Sequence, residues 1–250
     1  MTVELALLVV AAGAVSGTLI GTVGIGGVLL VPALVLFGGL GVEEATPVAS
    51  MSFFFTGVAG TLAYSRTDRV PWESVRWLMV GVVPGALAGA AGNVALSPDV
   101  LTGVIAVVLG TAAARALIPE RADRPLAGKD LSPRAMLAIG VLVGFGSALT
   151  GTGGPVLLIP VMLLLGGGVV VTIAASQPIQ VPIAIFATAA FLAYGELDWE
   201  LGLVLGLAQV AGVIVGARLG DRLPAEALRN LVGIALGLSA LIFLIKAVTG

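Results

Sequence analysis

The sequence contains no cysteine and no histidine, and only 10% of its 250 residues are charged. Without cysteine there is no disulfide, thiol nucleophile or iron–sulfur ligand. Without histidine there is no imidazole base and no His-bound zinc or haem. The 12 basic and 14 acidic residues give a net charge of −2, so there is no basic field for a nucleic acid. We therefore predict no catalytic residues, no metal, no cofactor and no nucleic-acid partner.

Apolar residues dominate the chain. They make up 58% of it and raise the mean hydropathy to +1.15, whereas a soluble domain is about 45–50% apolar and about 25% charged. This composition predicts an all-α polytopic protein of the plasma (inner) membrane, with the lipid bilayer as its surroundings. The 36 glycines and 13 prolines suit close helix packing and broken membrane helices.

Ten apolar segments divide into two halves, residues 1–117 and 135–250, which are joined by a charged linker over residues 118–134. The second segment of each half, Val28–Phe37 or Val156–Leu165, is too short to cross about 30 Å of hydrocarbon. We predict 8–10 spans, with one short glycine-broken hairpin in each half. The remaining segments are Leu5–Val23, Ala45–Tyr64, Val75–Ala91, Val100–Leu117, Ala135–Leu149, Val169–Tyr194, Leu201–Ala217 and Ala227–Val248.

The charged residues predict the orientation in the membrane. All basic residues except Lys246 fall in three loops, at 66–76, 115–134 and 218–229, while the opposite loops are acidic. Since basic loops face the cytoplasm, we expect a cytoplasmic central loop and two extracytoplasmic termini. In this orientation the first half starts outside and the second starts inside.

The two halves resemble each other. Gly24–Pro32 and Gly151–Pro160 each consist of a glycine-rich turn, an apolar run and a proline, and the second copy is one residue longer. Gly-x-x-x-Gly pairs also recur, for which helix packing is the favoured interpretation and a homodimer contact the alternative. Two inverted-topology repeats of about five segments, with glycine-interrupted short segments, are typical of secondary transporters. The paired glycines are Gly85 and Gly89 in the first half, and Gly212 and Gly216 in the second.

The glycine motifs also predict a binding site. If each motif opens a short helix, its free N–H groups and helix dipole attract an anion, and no Lys or Arg is placed near the centre of a span. We expect these backbone groups, with nearby hydroxyl and amide side chains, to face one cavity and hold a small anion. Glycine packing and hydroxyl bonds to the same helix are the structural alternatives. The candidate residues are Gly24, Gly26, Gly27, Ser50, Ser52, Thr150, Gly151, Thr152, Gly153, Gly154, Ser176, Gln177 and Gln180.

At Gly24–Pro32, Gly151–Pro160 and Pro84-Gly85 the sequence resembles the TauE/SafE family of sulfite and organosulfonate exporters. The resemblance implies a carrier for sulfur-containing anions such as sulfite, sulfonates or sulfoacetate, with export by alternating access as the expected mechanism. Two alternatives stay open: an anion-selective channel of the same fold, and a non-transporting assembly subunit. The spans contain no Asp, Glu or His near their centres, which disfavours proton coupling. Export driven by the membrane potential and coupling to sodium both remain compatible with the sequence.

Overall fold

A computed structural model describes residues 3–97, 131–165, 167–195 and 197–249, together with positions 100, 103, 107, 110 and 111. The expected fifth segment, Val100–Leu117, and most of the linker therefore lie outside the described residues. The described part forms nine helices: α1 Val3–Val23, α2 Gly27–Leu36, α3 Val42–Ser65, α4 Trp72–Ala95, α5 Pro133–Thr150, α6 Pro155–Leu164, α7 Val169–Tyr194, α8 Trp199–Gly220 and α9 Ala225–Thr249.

The all-α membrane architecture is confirmed. Six helices within the described residues, namely α1, α3, α4, α5, α7 and α8, are long and apolar enough to cross a bilayer. The short segments become the ten-residue helices α2 and α6. Each of these is about half as long as a spanning helix.

Local sequence fixes several helix ends. The Ser132 hydroxyl accepts a hydrogen bond from the Ala135 N–H, and Pro133 takes the first helical position of α5. The Asp198 carboxylate accepts from the Leu201 N–H at the start of α8. Helix α7 ends at Gly195, whose φ of +77° is left-handed and suits glycine. These caps leave a turn of four residues between α7 and α8, so the two helices run in opposite directions.

Glycines bring two pairs of helices into backbone contact. Gly13, Gly17 and Gly21 of α1 lie against successively later residues of α8, so these helices run in parallel. Helices α4 and α5 pack in the same parallel way. Small residues permit this approach where lipid supplies no hydrophobic drive. The packing role favoured for the Gly-x-x-x-Gly pairs is thus confirmed: a methyl group at Gly85, Gly89, Gly212 or Gly216 would overlap a carbonyl of the facing helix.

Helices α3 and α7 lie at the centre and cross antiparallel. Gly57 of α3 packs beside Gln180, and Gly60 packs beside Gln177, three residues earlier on α7. Helix α8 also packs along α3, where Gly206 lies under the Phe55 ring. The centre of the molecule is therefore built by the third helix of each half.

The described parts of the predicted basic loops lie at one end of the bundle. Arg69, between α3 and α4, forms an ion pair with Asp221, which follows α8. Because α4 and α5 are parallel, the start of α5 lies at this same end. The acidic residues that begin α3 and α8 lie at the opposite end, since these two helices also run in parallel. Which side of the membrane each end faces stays a prediction.

Candidate functional site

The two glycine motifs form breaks between helices, as predicted. The first break, Gly24–Gly26, separates α1 from α2, and Gly24 has a φ of +78°. The second break, Gly151–Gly154, separates α5 from α6. Its glycines at 151, 153 and 154 have φ values of +63°, +79° and +95°. Residues with a Cβ are strained at these angles, which accounts for the glycines in both turns.

The helices that follow the breaks match residue for residue. Helices α2 and α6 each contain ten residues with a proline, Pro32 or Pro160, at the sixth. The extra residue of the second motif therefore lies in the break itself and not in the apolar run. In consequence Gly27 occupies the same helical position as Pro155, the first residue of its helix.

The two breaks meet in the interior of the bundle. A methyl group on Gly27 would lie 2.8 Å from the carbonyl oxygen of Thr152 and 2.6 Å from Cζ of Phe53. The same ring covers Gly153, where a methyl group would lie 2.9 Å from it. Phe53 is 1% exposed. The start of α2, in the first half, thus lies against the break of the second half, and both contact the Phe53 ring.

Each break also contacts the third helix of the opposite half. A methyl group on Gly24 would lie 3.3 Å from Oγ of Ser176 in α7. One on Gly151 would lie 2.9 Å from Cγ2 of Thr46 in α3. The structure therefore brings Gly24 and Ser176 together, and a single cavity shared by all the candidate residues stays a prediction.

Neither short helix has a side-chain cap. Gly26 and Gly154 hold the N-cap positions of α2 and α6, and no side chain among the described residues bonds to the N–H groups there. The backbone bonds in this region begin at Leu29, which donates to Gly26, and at Leu157, which donates to Gly154. Five N–H groups ahead of these residues have no partner among the described residues and are helix donors of the kind that bind anions, namely those of Gly26, Gly27, Val28, Gly154 and Val156.

The candidate hydroxyl groups direct their protons to their own helices. Ser52 donates to the Ala49 carbonyl at 2.7 Å, Ser176 to Ile173 at 2.7 Å and Thr150 to Gly146 at 2.6 Å. Thr150 also lies 2.9 Å from the Thr152 hydroxyl. Ser50 is 2% exposed and has no hydrogen bond to the described residues. Back-bonded hydroxyls present lone pairs, so the donors left for an anion are backbone N–H groups, side-chain amides and the Ser50 hydroxyl.

Gln177 and Gln180 belong to a buried hydrogen-bond chain. Thr56 donates to Oε1 of Gln180 at 3.0 Å, and Nε2 of Gln180 donates to Oε1 of Gln177 at 3.1 Å. Nε2 of Gln177 lies 3.5 Å from the Ile20 carbonyl of α1. The chain links α3, α7 and α1 directly beside the first break. Thr56 was not predicted, because its partner is 124 residues away in the sequence.

Two further polar residues at the first break also escaped prediction. Ser16 of α1 donates to the Gly26 carbonyl at 3.0 Å, and Nε2 of Gln209 in α8 donates to Ser16 at 3.3 Å. Both are buried, at 2% and 0% exposure. The signal was available: a glutamine in the middle of an apolar segment is costly in lipid unless it is hydrogen-bonded.

The buried polar side chains of the described part are all uncharged, being Ser, Thr, Asn, Gln and the phenol of Tyr64. No group of three or more His, Cys, Asp or Glu side chains among those residues could hold a metal ion. Oxyanion binding without ionised side chains is within the reach of such a site, because helix N-termini supply N–H donors and a positive dipole end.

A multi-span helical bundle in which two broken helices meet at a neutral polar centre is typical of membrane transport proteins. The chain belongs to the family described as "Sulfite exporter TauE/SafE", whose model matches residues 8–243.

Several relatives match most of the chain. It is 27% identical over 242 residues to "Probable membrane transporter protein ORF9" of Sinorhizobium sp, covering 95% of this chain and 92% of the relative. It is 25% identical to "Probable membrane transporter protein YunE" of Bacillus subtilis (strain 168), covering 86% of both. It is 29% identical to "Probable membrane transporter protein y4hK" of Sinorhizobium fredii, covering 89% of this chain and 90% of the relative. No solved structure matches the chain.

Proposed function

We propose that this membrane transporter exports a small sulfur-containing anion, such as sulfite or an organosulfonate, by alternating access. The anion binds at the centre of the bundle between the starts of α2 and α6. The observation that carries the proposal is the contact of the uncapped start of α2, at Gly27, with the break that precedes the uncapped start of α6, at Thr152. The family description supplies the substrate class.

The proposal includes an inverted repeat, and the glycine contacts support it. Positions that correspond in the two halves are 127 residues apart in these helices. Gly13 contacts Leu205, and the corresponding residues, Gly140 and Leu78, also contact each other. In the same way, Gly17 contacts Gln209, and the corresponding residues Gly144 and Val82 contact each other. Helix α1 runs parallel to α3. Its counterpart α5 runs parallel to α4 and therefore antiparallel to α1 and α3. Two inverted halves around one central site form the architecture on which alternating access depends.

A neutral site has an energetic consequence. The anion crosses with its charge uncompensated, because the buried polar side chains that surround the breaks carry no ionisable group. An anion leaving a cell with a negative interior gains about 2.3 kcal/mol per charge per 100 mV. Export then needs no proton or sodium ion, and its rate follows the membrane potential.

Ligand-dependent thermal stabilisation of the purified protein tests the site. The panel is sulfite, thiosulfate, sulfate, sulfoacetate, taurine and chloride, and stabilisation grows as RT ln(1 + [L]/Kd). Gln180→Glu keeps the shape of the side chain but adds a negative charge, while Gln180→Met keeps its length without charge. We expect a sulfur anion to stabilise the wild type, to stabilise Gln180→Met less, and to leave Gln180→Glu unaffected. Equal stabilisation of all three proteins would place the site elsewhere.

Flux in proteoliposomes tests the mechanism. We expect saturable counterflow of the stabilising anion, with net flux that increases when a potential drives the anion outward. Unitary currents would instead establish the channel. Flux that needs a proton gradient at zero potential would contradict potential-driven export.

A further inference from the structure

One hydrogen-bond chain ties the first break to the opposite half of the molecule. Gln209 of α8 donates through Nε2 to Oγ of Ser16 in α1, which donates to the carbonyl oxygen of Gly26. That carbonyl belongs to the N-cap residue of α2 and also accepts from the Leu29 N–H at 3.1 Å. The orientation of the Gly26 peptide group therefore depends on a glutamine that is 183 positions away in the sequence.

Among the described residues, no side chain bonds to the carbonyl of Gly154, the N-cap residue at the second break. The glycine contacts place Val143 of α5 at the position of Ser16, and Val82 of α4 at the position of Gln209. Both valines are fully buried, so the counterpart of the polar pair is apolar. The buried polar contact between α4 and α5 lies elsewhere, where Asn93 donates to the Leu149 carbonyl. The polar pair is thus a departure from the repeat and not a requirement of helix packing, since the valines pack equally closely.

Gln209 also lowers the stability of the fold at this position. Its side chain is 0% exposed, and Oε1 has no donor among the described residues. A buried acceptor without a partner lowers stability, whereas an apolar residue of the same size would not. Stability alone would therefore favour leucine, and a benefit to the break accounts for the glutamine.

We propose that Gln209 and Ser16 are positioning residues for the anion site. Ser16 has one proton, and the hydrogen bond from Gln209 occupies a lone pair of its oxygen and keeps that proton directed at Gly26. Without Gln209, the hydroxyl is free to bond back to its own helix. The peptide group between Gly26 and Gly27 would then lose its fixed orientation, and with it the direction of the Gly27 N–H, which belongs to the same peptide group. This role rests on the function proposed above.

Amide hydrogen exchange of the full-length protein tests the positioning without any ligand. In Gln209→Leu and in Ser16→Ala, we expect exchange over residues 24–30 to become about tenfold faster, while residues 151–157 keep the wild-type rate. Val143→Ala, at the counterpart of Ser16, is the matched control and leaves residues 24–30 unchanged. Ser16→Ala carries the test if Gln209→Leu does not assemble. Wild-type exchange over residues 24–30 in both variants would overturn the proposal.

Anion affinity supplies the second measurement. We expect each variant to weaken binding of the stabilising anion about threefold to tenfold, the range of one hydrogen bond. Because the two residues act in series, the double variant should bind no more weakly than either single one. A multiplied loss, or a loss of melting temperature with unchanged affinity, would overturn the positioning role. If the wild type binds none of the anions, the proposed function fails, while the exchange result still decides whether Gln209 fixes the break.

Discussion

Gly27 and Gly153 touch the same Phe53 ring, but alanine should be harmful at each for a different reason. At Gly27 the methyl group would lie 2.6 Å from Cζ of Phe53, and carbon atoms pack at about 3.5–4.0 Å. The ring must retreat by about 1 Å, and such overpacking costs about 1–3 kcal/mol. At Gly153 the contact is 2.9 Å, but φ is +79°. The left-handed backbone adds about 1–2 kcal/mol for a residue with a Cβ.

Shortening the ring separates the two causes. Phe53→Leu removes the ring atoms that the Gly27 methyl group would meet, although the Thr152 carbonyl oxygen stays in place, and by itself should cost about 1 kcal/mol. In that background we expect Gly27→Ala to recover at least half of its loss, because steric overlap is its main cost. Gly153→Ala should recover little, since backbone strain does not depend on the ring.

Thermal unfolding in detergent measures these differences. A change of 1 kcal/mol shifts the melting temperature by about 2–4 °C at this chain length. Gly27→Ala, at about 1–3 kcal/mol, should therefore lower it by about 2–12 °C, and by no more than about half as much when Phe53 is leucine. Wild-type stability of Gly27→Ala would show that the breaks do not meet at Phe53. Equal rescue of Gly153→Ala would refute the argument from φ.

Three further expectations follow from contacts elsewhere in the bundle. Gly85→Ala should cost more than about 2 kcal/mol, because its methyl group meets a backbone carbonyl. Gly92→Ala, whose methyl group meets only side-chain atoms of Leu149 and Phe145, should cost less than about 1 kcal/mol in thermal melts. Tyr64→Phe removes a buried 2.8 Å hydrogen bond to Gly21 and should cost about 0.5–1.5 kcal/mol, whereas Tyr194→Phe, half exposed, should cost nothing measurable. Arg69→Ala should change stability by less than about 1 kcal/mol, because the side chains of its ion pair with Asp221 are 35% and 41% exposed. A large, salt-sensitive loss for this variant would contradict that last expectation.

The helices were predictable because each apolar segment ends at a local signal. The expected segment Ala135–Leu149 became α5, Pro133–Thr150, and Val169–Tyr194 became α7 without change. The breaks were predictable for a related reason: two glycine motifs at matching positions in two halves are more informative than either alone. Sequence periodicity and repeat arithmetic thus locate the elements and the point where each half is interrupted.

The contacts of the site were less predictable, because they join residues from opposite halves. Nothing in the sequence states that α1 packs on α8, so Ser16 could not be matched with Gln209. The repeat related Ser50 to Gln180, but the antiparallel crossing of α3 and α7 places Thr56 against Gln180 instead. Equivalent positions in two repeats are related by symmetry, but this does not bring their side chains into contact.

The two breaks offer unequal chemistry to a ligand, although their motifs look alike. The first helical residue after the first break is Gly27, which has an N–H, whereas Pro155 at the same position has none. Ahead of the first bonded amide, α2 therefore presents the N–H groups of Gly26, Gly27 and Val28, while α6 lacks the middle one. Since the N–H groups of a helix start converge on one point, we expect an anion bound between the breaks, as proposed, to form more hydrogen bonds to α2. In that proposal the first break, with its hydrogen-bonded carbonyl and complete set of donors, contributes more to the site than the second.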